Sequence, residues 1–328
     1  MICFLVCGRF RYTLDEYVTG WANHLANSIR ILHYEDLDSQ GDWPPGTYVF
    51  ADIERLIRPE LRAARRLAER FEEYPERYRV LNDPRRVLRR FPMLRKLYRK
   101  GINAFNVHRP GSPMDEIRFP VFIKREHEHS TKGIELLHDA DELNQAMRRL
   151  GPIDRLRKHR LMITEYCDIA DEQGQFRKYA AMRLGEQIIP RHILLSNRWL
   201  TKKPDLITSE LCKEEANFVA SAQVHEGVAD AFELAGIDYG RIDYGLLNGK
   251  IQVWEINTNP RLVPPRQRID TQRMDAQAAS AEQINATLTE LASPREGEGI
   301  TIDPHLLGLW RGPFLGLLYR FYTGHVRS

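Results

Sequence analysis

Asp243, Glu255 and Asn257 are the residues whose types and spacing speak most directly to chemistry. They lie in Ile242-Asp243-Tyr244-Gly245-Leu246-Leu247-Asn248-Gly249-Lys250-Ile251-Gln252-Val253-Trp254-Glu255-Ile256-Asn257, two apolar-rich runs around an Asn-Gly pair, which reads as a β-hairpin. Glu255 and Asn257 stand at i and i+2 of one strand and share a face. The place of Asp243 depends on the turn. A two-residue Asn248-Gly249 loop pairs Asp243 with Trp254 and turns its carboxylate to the opposite face. A three-residue loop through Lys250, with Gly249 left-handed, pairs it with Glu255, and a bulge at Gly245 would also bring it round. If the three converge, they form a hard, oxygen-only site suited to one or two Mg²⁺, with Mn²⁺ as a substitute and open positions for phosphate oxygens. Otherwise they are surface acids on a hairpin.

A second group points to phosphate. Phe119-Pro120-Val121-Phe122-Ile123-Lys124 is an apolar strand ending in a lysine, followed by a loop with Ser130, Thr131 and Gly133. Such a lysine neutralises phosphate oxygens while backbone amides of the loop cover the terminal phosphates. The strand Leu161 to Tyr166 ends in Glu165-Tyr166-Cys167-Asp168, where backbone groups after Glu165 suit an adenine edge and an acid suits a ribose hydroxyl. His127 and His129 sit in the polar loop and read as exposed side chains rather than ligands. Arg261, Arg266 and Arg268 follow the Asn259-Pro260 turn and are equally suited to clamping a carboxylate or to lying in solvent.

The elements that must position these groups follow from patterning. Short apolar runs at Ile2 to Cys7, Ile29 to Tyr34, Tyr48 to Ala51 and Tyr78 to Leu81 alternate with helical patterns at Leu14 to Ala26 and Glu60 to Glu73, as in a small parallel α/β unit. Asn82-Asp83-Pro84 closes it. A basic helix from Val87 to Lys100, the Lys124 strand, a helix from Asp139 to Gly151-Pro152 and the strand to Tyr166 form a second unit. A hairpin around Gly185-Glu186, a long helix from Lys213 to Ala235 and the Asn248-Gly249 hairpin form a mostly antiparallel third.

The chain has 328 residues, enough for two compact domains or three small ones, and its 42% hydrophobic, 28% charged and 9% aromatic composition excludes disordered and fibrous classes. No stretch approaches a membrane span, and Met1 to Gly8 is too short and lacks the basic start of a secretory signal, so a cytoplasmic location is expected. Cys3, Cys7, Cys167 and Cys212 form no CxxC pair and read as buried reduced thiols. Although the whole chain carries only +3, the block from Arg55 to Lys100 holds 14 arginines and two lysines against six acids. It lacks interleaved aromatics or a nucleic-acid motif, so it reads as solvated helix faces and a phosphate-attracting rim, with no nucleic-acid partner expected. Aromatic residues between Leu306 and Tyr322 read as a segment that docks onto the body or onto a second copy of the chain.

Taken in order, these residues resemble the ATP-grasp superfamily. Its pattern of a lysine about eleven residues before a Gly-Ile, a second lysine after Phe-Pro-x-x-x, a Glu-x hinge, an arginine on the strand after it, then an Asp and a terminal Glu-x-Asn-x-x-Pro looks like Arg90, Lys124, Glu165, Arg177, Asp243 and Glu255-Ile256-Asn257-Thr258-Asn259-Pro260. The resemblance covers Asn82 to Pro260 and looks closest to the glutathione synthetase and ribosomal-protein glutamyl ligase branch. It implies an α/β (α+β) fold with an N-terminal parallel domain over 1–84, a lid over 85–165, a metal-bearing subdomain over 166–270 and a helical extension over 271–328. It further implies that Arg90, Lys124, Ser130 and Gly133 hold ATP phosphates, that Glu165, Tyr166 and Asp168 hold adenosine, and that Asp243, Glu255 and Asn257 bind Mg²⁺. Arg177 and Arg191 would lie beside the transferring phosphate. Arg90 stands where the family carries lysine, Gln175-Phe176-Arg177 where relatives carry Asp-x-Arg, and Ser196 to Pro204 where they carry a Gly-rich segment, so that loop is expected to choose the acceptor. The implied activity is ATP-dependent ligation of a small carboxylate to an amine or thiol through an acyl phosphate, releasing ADP and phosphate. A small-molecule kinase and a regulatory ATP-binding protein are the alternatives.

Overall fold

A computed structural model describes residues 1–37, 39–126, 133–201, 206–263 and 273–307. Ser130 and its neighbours His127, His129 and Thr131, together with Lys202 to Pro204, Arg266, Arg268 and the aromatic segment after Leu307, lie outside the described residues.

Chain order begins β1 (Ile2–Val6), α1 (Tyr12–Gly20), β2 (Ile29–His33), β3 (Asp42–Trp43), β4 (Gly46–Phe50), α2 (Arg58–Glu72) and β5 (Tyr78–Leu81). Four of these strands form a parallel sheet in the order β2-β1-β4-β5. Every residue of β1 and β4 is buried, as expected for strands covered on both faces. α2 buries Ala63, Ala64, Leu67, Ala68 and Phe71 at helical spacing and turns its arginines outward, so part of the basic block is a solvated helix face.

Next come α3 (Arg90–Arg99), β6 (Val107–His108), β7 (Val121–Arg125), α4 (Ala140–Arg149), α5 (Pro152–Leu156) and β8 (Leu161–Glu165). The three strands pair antiparallel in the order β6-β8-β7. Asp139 starts α4 by accepting from the Glu142 amide at 2.8 Å.

The third group is β9 (Phe176–Leu184), β10 (Gln187–Ser196), α6 (Ser209–Ala220), α7 (Val228–Ala235), β11 (Tyr239–Leu247) and β12 (Lys250–Asn257), with antiparallel strand order β10-β9-β11-β12. The single long helix expected from Lys213 to Ala235 is two helices. The chain leaves helical geometry where Ala222 and Gly227 take φ of +51° and +86°. In the break, His225 Nδ1 lies 2.9 Å from the Tyr244 hydroxyl, a tertiary contact that competes with continuing the helix. One face of this sheet packs Tyr179, Ala181, Ile193, Ile242, Tyr244 and Val253 against Leu211, Val228 and Phe232 of the helices. The opposite face carries the polar residues described below.

α8 (Met274–Leu291), β13 (Ile300–Thr301) and α9 (Pro304–Leu307) follow. Ile284, Leu288 and Leu291 of α8 join Ile2, Phe4 and Val6 of β1 and Met182, Leu184 and Tyr239 of the antiparallel sheet in one cluster. Each such buried side chain contributes about 1.5–3 kcal/mol. β13 pairs with β3, which stitches the chain after residue 271 back onto its start. Cys3 and Cys7 are buried and Cys167 and Cys212 half-buried, all as free thiols. No described helix is long and apolar enough to cross a membrane.

Candidate nucleotide and metal site

The β11–β12 hairpin resolves the register. Leu247 pairs with Lys250, so the turn holds only Asn248 and Gly249, with φ of +51° and +78°. Both central residues are left-handed, the geometry that Asn-Gly favours in a tight hairpin. Pairing then runs through Tyr244–Val253 and jumps to Asp243–Glu255, leaving Trp254 as an extra residue on β12. The correcting bulge is therefore at Trp254 and not at Gly245. Gly245 supplies room instead: a Cβ there would lie 2.4 Å from Ile169 Cδ1 and 3.4 Å from Trp254 Cζ2. Trp254 in turn stacks on Phe105, with ring centroids 5.1 Å apart.

The bulge sets Asp243 directly opposite Glu255 and Arg241 opposite Asn257, so all four share one face. The carboxylates are gripped by cations. Arg241 Nε donates to Asp243 Oδ1 at 2.8 Å and Lys178 Nζ to Oδ2 at 3.2 Å, while Arg90 Nη2 lies 2.6 Å from Glu255 Oε2. Burial alone would raise the Asp243 carboxyl, but Arg241 and Lys178 hold it well below the ordinary carboxylate range. Asn257 Oδ1 accepts the Asn259 amide at 3.0 Å.

Between this face and the β6-β8-β7 sheet runs a cleft lined by Arg90, Lys124, Glu165, Tyr166, Arg177, Lys178, Asp243 and Glu255, with Phe105, Phe122, Met162 and Trp254 as apolar walls. With the open solvent at its mouth it encloses about 1070 Å³. Seven residues expected at the site thus meet there. Lys124 also borders a second cavity, whose lining includes Gly133. Asp168 is exposed, and its carboxylate accepts the Ala170 amide at 3.0 Å.

Three expected roles meet a different geometry. The Glu165 carboxylate accepts from His108 Nε2 at 3.0 Å, from the Asn106 and Arg118 amides at 2.9 and 3.1 Å and from Arg118 Nη2 at 2.9 Å. Those donors tie β6 and the approach to β7 onto β8, so the Glu165 carboxylate is taken up in holding the three strands together. Arg177 pairs with Asp171 and, at 3.3 Å, with Glu214 of α6. Adjacent strand residues face opposite ways, and it is Lys178 that meets Asp243. Arg191 occupies a bulge of β10, is only 2% exposed, and donates to the Gln277 carbonyl at 3.3 Å. It is absent from the described lining of the cleft. Burial pulls its pKa down to about 10.

Some neighbours of the candidate site are not evident from the sequence pattern. Arg241 stands two residues before Asp243, which puts both on one face of any strand, and this spacing was the available signal. Asp52 and Glu54 had none. Just after β4, Asp52 accepts from Asn259 Nδ2 at 2.9 Å and Glu54 from the Thr258 hydroxyl at 2.7 Å, which ties the exit of the β11–β12 hairpin to the parallel sheet. Burial raises the Asp52 carboxyl to about 6 in spite of Arg55.

Among the described residues, no three His, Cys, Asp or Glu side chains group closely enough to hold a metal ion. The candidate set is instead two carboxylates and an amide oxygen. Its all-oxygen chemistry fits Mg²⁺.

No family model matches this sequence, and no curated protein matches it. Solved structures do. The D-alanine–D-alanine ligase from Coxiella burnetii is 13% identical over 100% of this chain and 99% of its own, with a TM-score of 0.51. The D-alanine–D-alanine ligase from Bacillus anthracis, solved with ATP, is 14% identical over 90% of this chain and 99% of its own, at 0.47. A RimK domain ATP-grasp protein from Sphaerobacter thermophilus is 14% identical over 86% of this chain and 98% of its own, at 0.45. At 13% identity and full-length coverage, the likeness to the Coxiella ligase is one of fold, and that fold is ATP-grasp.

Proposed function

We propose that this protein is an ATP-dependent ligase that joins a small carboxylate to an amine, or to a thiol, through an acyl phosphate, and releases ADP and phosphate. The observation that carries this reading is the direct opposition of Asp243 and Glu255 in a cleft that Arg90, Lys124 and Lys178 also line. Two carboxylates beside three cations suit a polyphosphate that arrives with a divalent ion, and suit a neutral substrate poorly. Phe105, Met162 and Trp254 offer apolar walls for a base, Tyr166 lines the cleft beside them, and we assign a ribose hydroxyl to the exposed Asp168 two residues on.

Asp243, Glu255 and Asn257 would hold Mg²⁺, which when bound neutralises charge on the terminal phosphates. Lys124, Arg90 and Lys178 orient the phosphate chain and stabilise charge that builds on its oxygens during transfer. Held in line with the γ-phosphorus, a substrate carboxylate attacks it, and the nucleophile then displaces phosphate at carbon; the chain's contribution is positioning. We give Arg191 a supporting role, as the anchor of α8 on β10, and the phosphate contact to Lys178. The spacing from Arg177 to Asn257 supports the glutathione synthetase and glutamyl ligase branch.

The test is incubation with Mg²⁺-ATP, hydroxylamine and pools of amino acids and other small carboxylic acids. An acyl phosphate is trapped as a hydroxamate alongside ADP and phosphate. ADP with a stable phosphoester and no hydroxamate would move the assignment to a kinase, and ATP binding without ADP, even with cell extract added, to a regulatory protein.

A further inference from the structure

Leu156, Ile153 and Leu306 are the most exposed large hydrophobic side chains among the described residues, at 83%, 68% and 61%. Ile153 and Leu156 stand at i and i+3 of α5 and are neighbours on one face. Exposed cations flank them in the chain, Arg148 and Arg149 before and Arg155 and Lys158 among and after them. The one acid in this stretch, Asp154, is taken by Arg125, whose Nε and Nη2 donate to its carboxylate at 2.7 and 2.8 Å. Leu306 sits on α9, where its carbonyl accepts from Arg66 Nη1 of α2 at 3.0 Å.

One basic surface joins these two places. Arg65 and Arg66 are exposed on α2 and spend hydrogen bonds on carbonyls, of Pro84 at 3.1 Å and of Leu306, which leave their charge uncompensated. Arg89 lies between α2 and α5: burial pulls its pKa below the ordinary value, and the charges of Arg160 and Arg65 pull the same way against Glu126. From Arg160 the backbone returns to α5, the Arg160 amide donating to the Arg157 carbonyl at 2.8 Å and the Arg157 amide to the Ile153 carbonyl at 2.9 Å. The basic block of α2 is thus continuous with the cations around Ile153 and Leu156.

Cations and aliphatics together restrict what can cover this surface. Nucleic acid would satisfy the arginines, but it gives Ile153 and Leu156 no apolar seat, and no Phe, Tyr or Trp lies between Arg148 and Arg160 to stack a base. The chain's own end, 308–328, carries three arginines and no acid, so like charge keeps it from serving as the cover. An anionic bilayer surface satisfies both kinds of side chain: headgroups pair with the cations while the aliphatics reach the acyl boundary. The five aromatic residues of 308–328 suit the same boundary. We propose that the basic surface from α2 to α5 docks this protein onto the anionic face of a lipid bilayer, with Ile153 and Leu156 inserted and no segment crossing. The inference does not depend on the ATP reading, because Ile153, Arg155, Leu156 and Lys158 are absent from the described lining of the cleft.

The experiment is co-sedimentation of the full-length protein with vesicles of phosphatidylcholine alone and of phosphatidylcholine with about 30% phosphatidylglycerol. It is repeated with the double variants Arg155→Gln/Lys158→Gln and Ile153→Ser/Leu156→Ser, all four positions being at or near the surface, and folding of each is checked by circular dichroism. The expected result is partition onto the anionic vesicles only, weakened by high salt. Each lost cation should cost roughly fivefold, so the charge variant should partition roughly 25-fold more weakly, and the aliphatic variant roughly tenfold or more. Equal partition onto the two vesicle types would overturn the proposal, as would partition of both variants equal to that of the parent, which would place any lipid contact elsewhere in the chain. A single-stranded RNA of about 20 nucleotides is titrated in parallel. RNA binding lost in the charge variant and kept in the aliphatic one, without vesicle binding by the parent, would overturn it in favour of a nucleic-acid surface.

Discussion

Arg90, the first residue of α3, places Nη2 2.6 Å from Glu255 Oε2, so α3 is tied by an ion pair to the strand that carries two of the candidate metal ligands. Arg90 therefore competes with any cation for Glu255. Arg90→Gln is expected to raise the affinity for free Mn²⁺, read by electron paramagnetic resonance, while lowering ATP affinity by roughly tenfold. A parallel loss of both would show that Arg90 only maintains the cleft.

Adjacent residues on β9 should differ sharply. Lys178→Met removes a cation from Asp243 and from the proposed phosphate path, and ATP affinity is expected to drop by about tenfold or more in a variant that melts at a lower temperature but still folds. Arg177→Ala breaks partly exposed pairs with Asp171 and Glu214, which contribute about 1 kcal/mol or less, and should leave ATP affinity as it was. Equal effects of the two substitutions on binding would show that strand phase does not separate their roles.

Most of the frame is legible in the sequence because it rests on local signals. The parallel strands are β-branched and aromatic runs, and Asp139 and Gly185-Glu186 are end and turn signals that need no tertiary help. What was not readable depends on contacts between distant segments. The bulge at Trp254 is stabilised by Phe105, which no counting within the hairpin can reveal, and so the side of Asp243 stayed open. Apolar spacing runs on through Ser221 to Gly227, which hid the break that His225 and Tyr244 hold. Arg177 and Lys178 are equally basic, and only the pairing of β9 with β11 assigns one to the helix side and the other to the carboxylates.

Glu165 offers a pH-dependent test. Burial raises its carboxyl, but His108, the Asn106 amide and Arg118 outweigh this and lower it below its ordinary value of 4.5. A carboxyl depressed in the folded state stabilises the fold above that ordinary value, and the stabilisation is lost as pH falls through the folded value. Glu165→Gln should cost about 1–3 kcal/mol near neutral pH. In denaturant melts the gap between variant and parent should narrow below pH 4.5. A gap independent of pH would contradict the charge-based account.

Gly245→Val should act through the bulge. A side chain there meets Ile169 and Trp254, overpacking by about 1–3 kcal/mol and pushing Trp254 off Phe105. The expected outcome is a lower melting temperature together with weaker ATP binding. Loss of stability with intact binding would show that the Asp243–Glu255 alignment survives without the Trp254 contact.

The cleft between the two antiparallel sheets is proposed to bind Mg²⁺-ATP, and Lys124 lines it from β7. Calorimetric titration of a non-hydrolysable ATP analogue with Mg²⁺ into the parent protein and Lys124→Ala tests it most directly. One site on the parent, and an affinity roughly tenfold to a hundredfold weaker in the folded variant, is the predicted result. No binding to the parent, or equal affinity in both proteins, would contradict it.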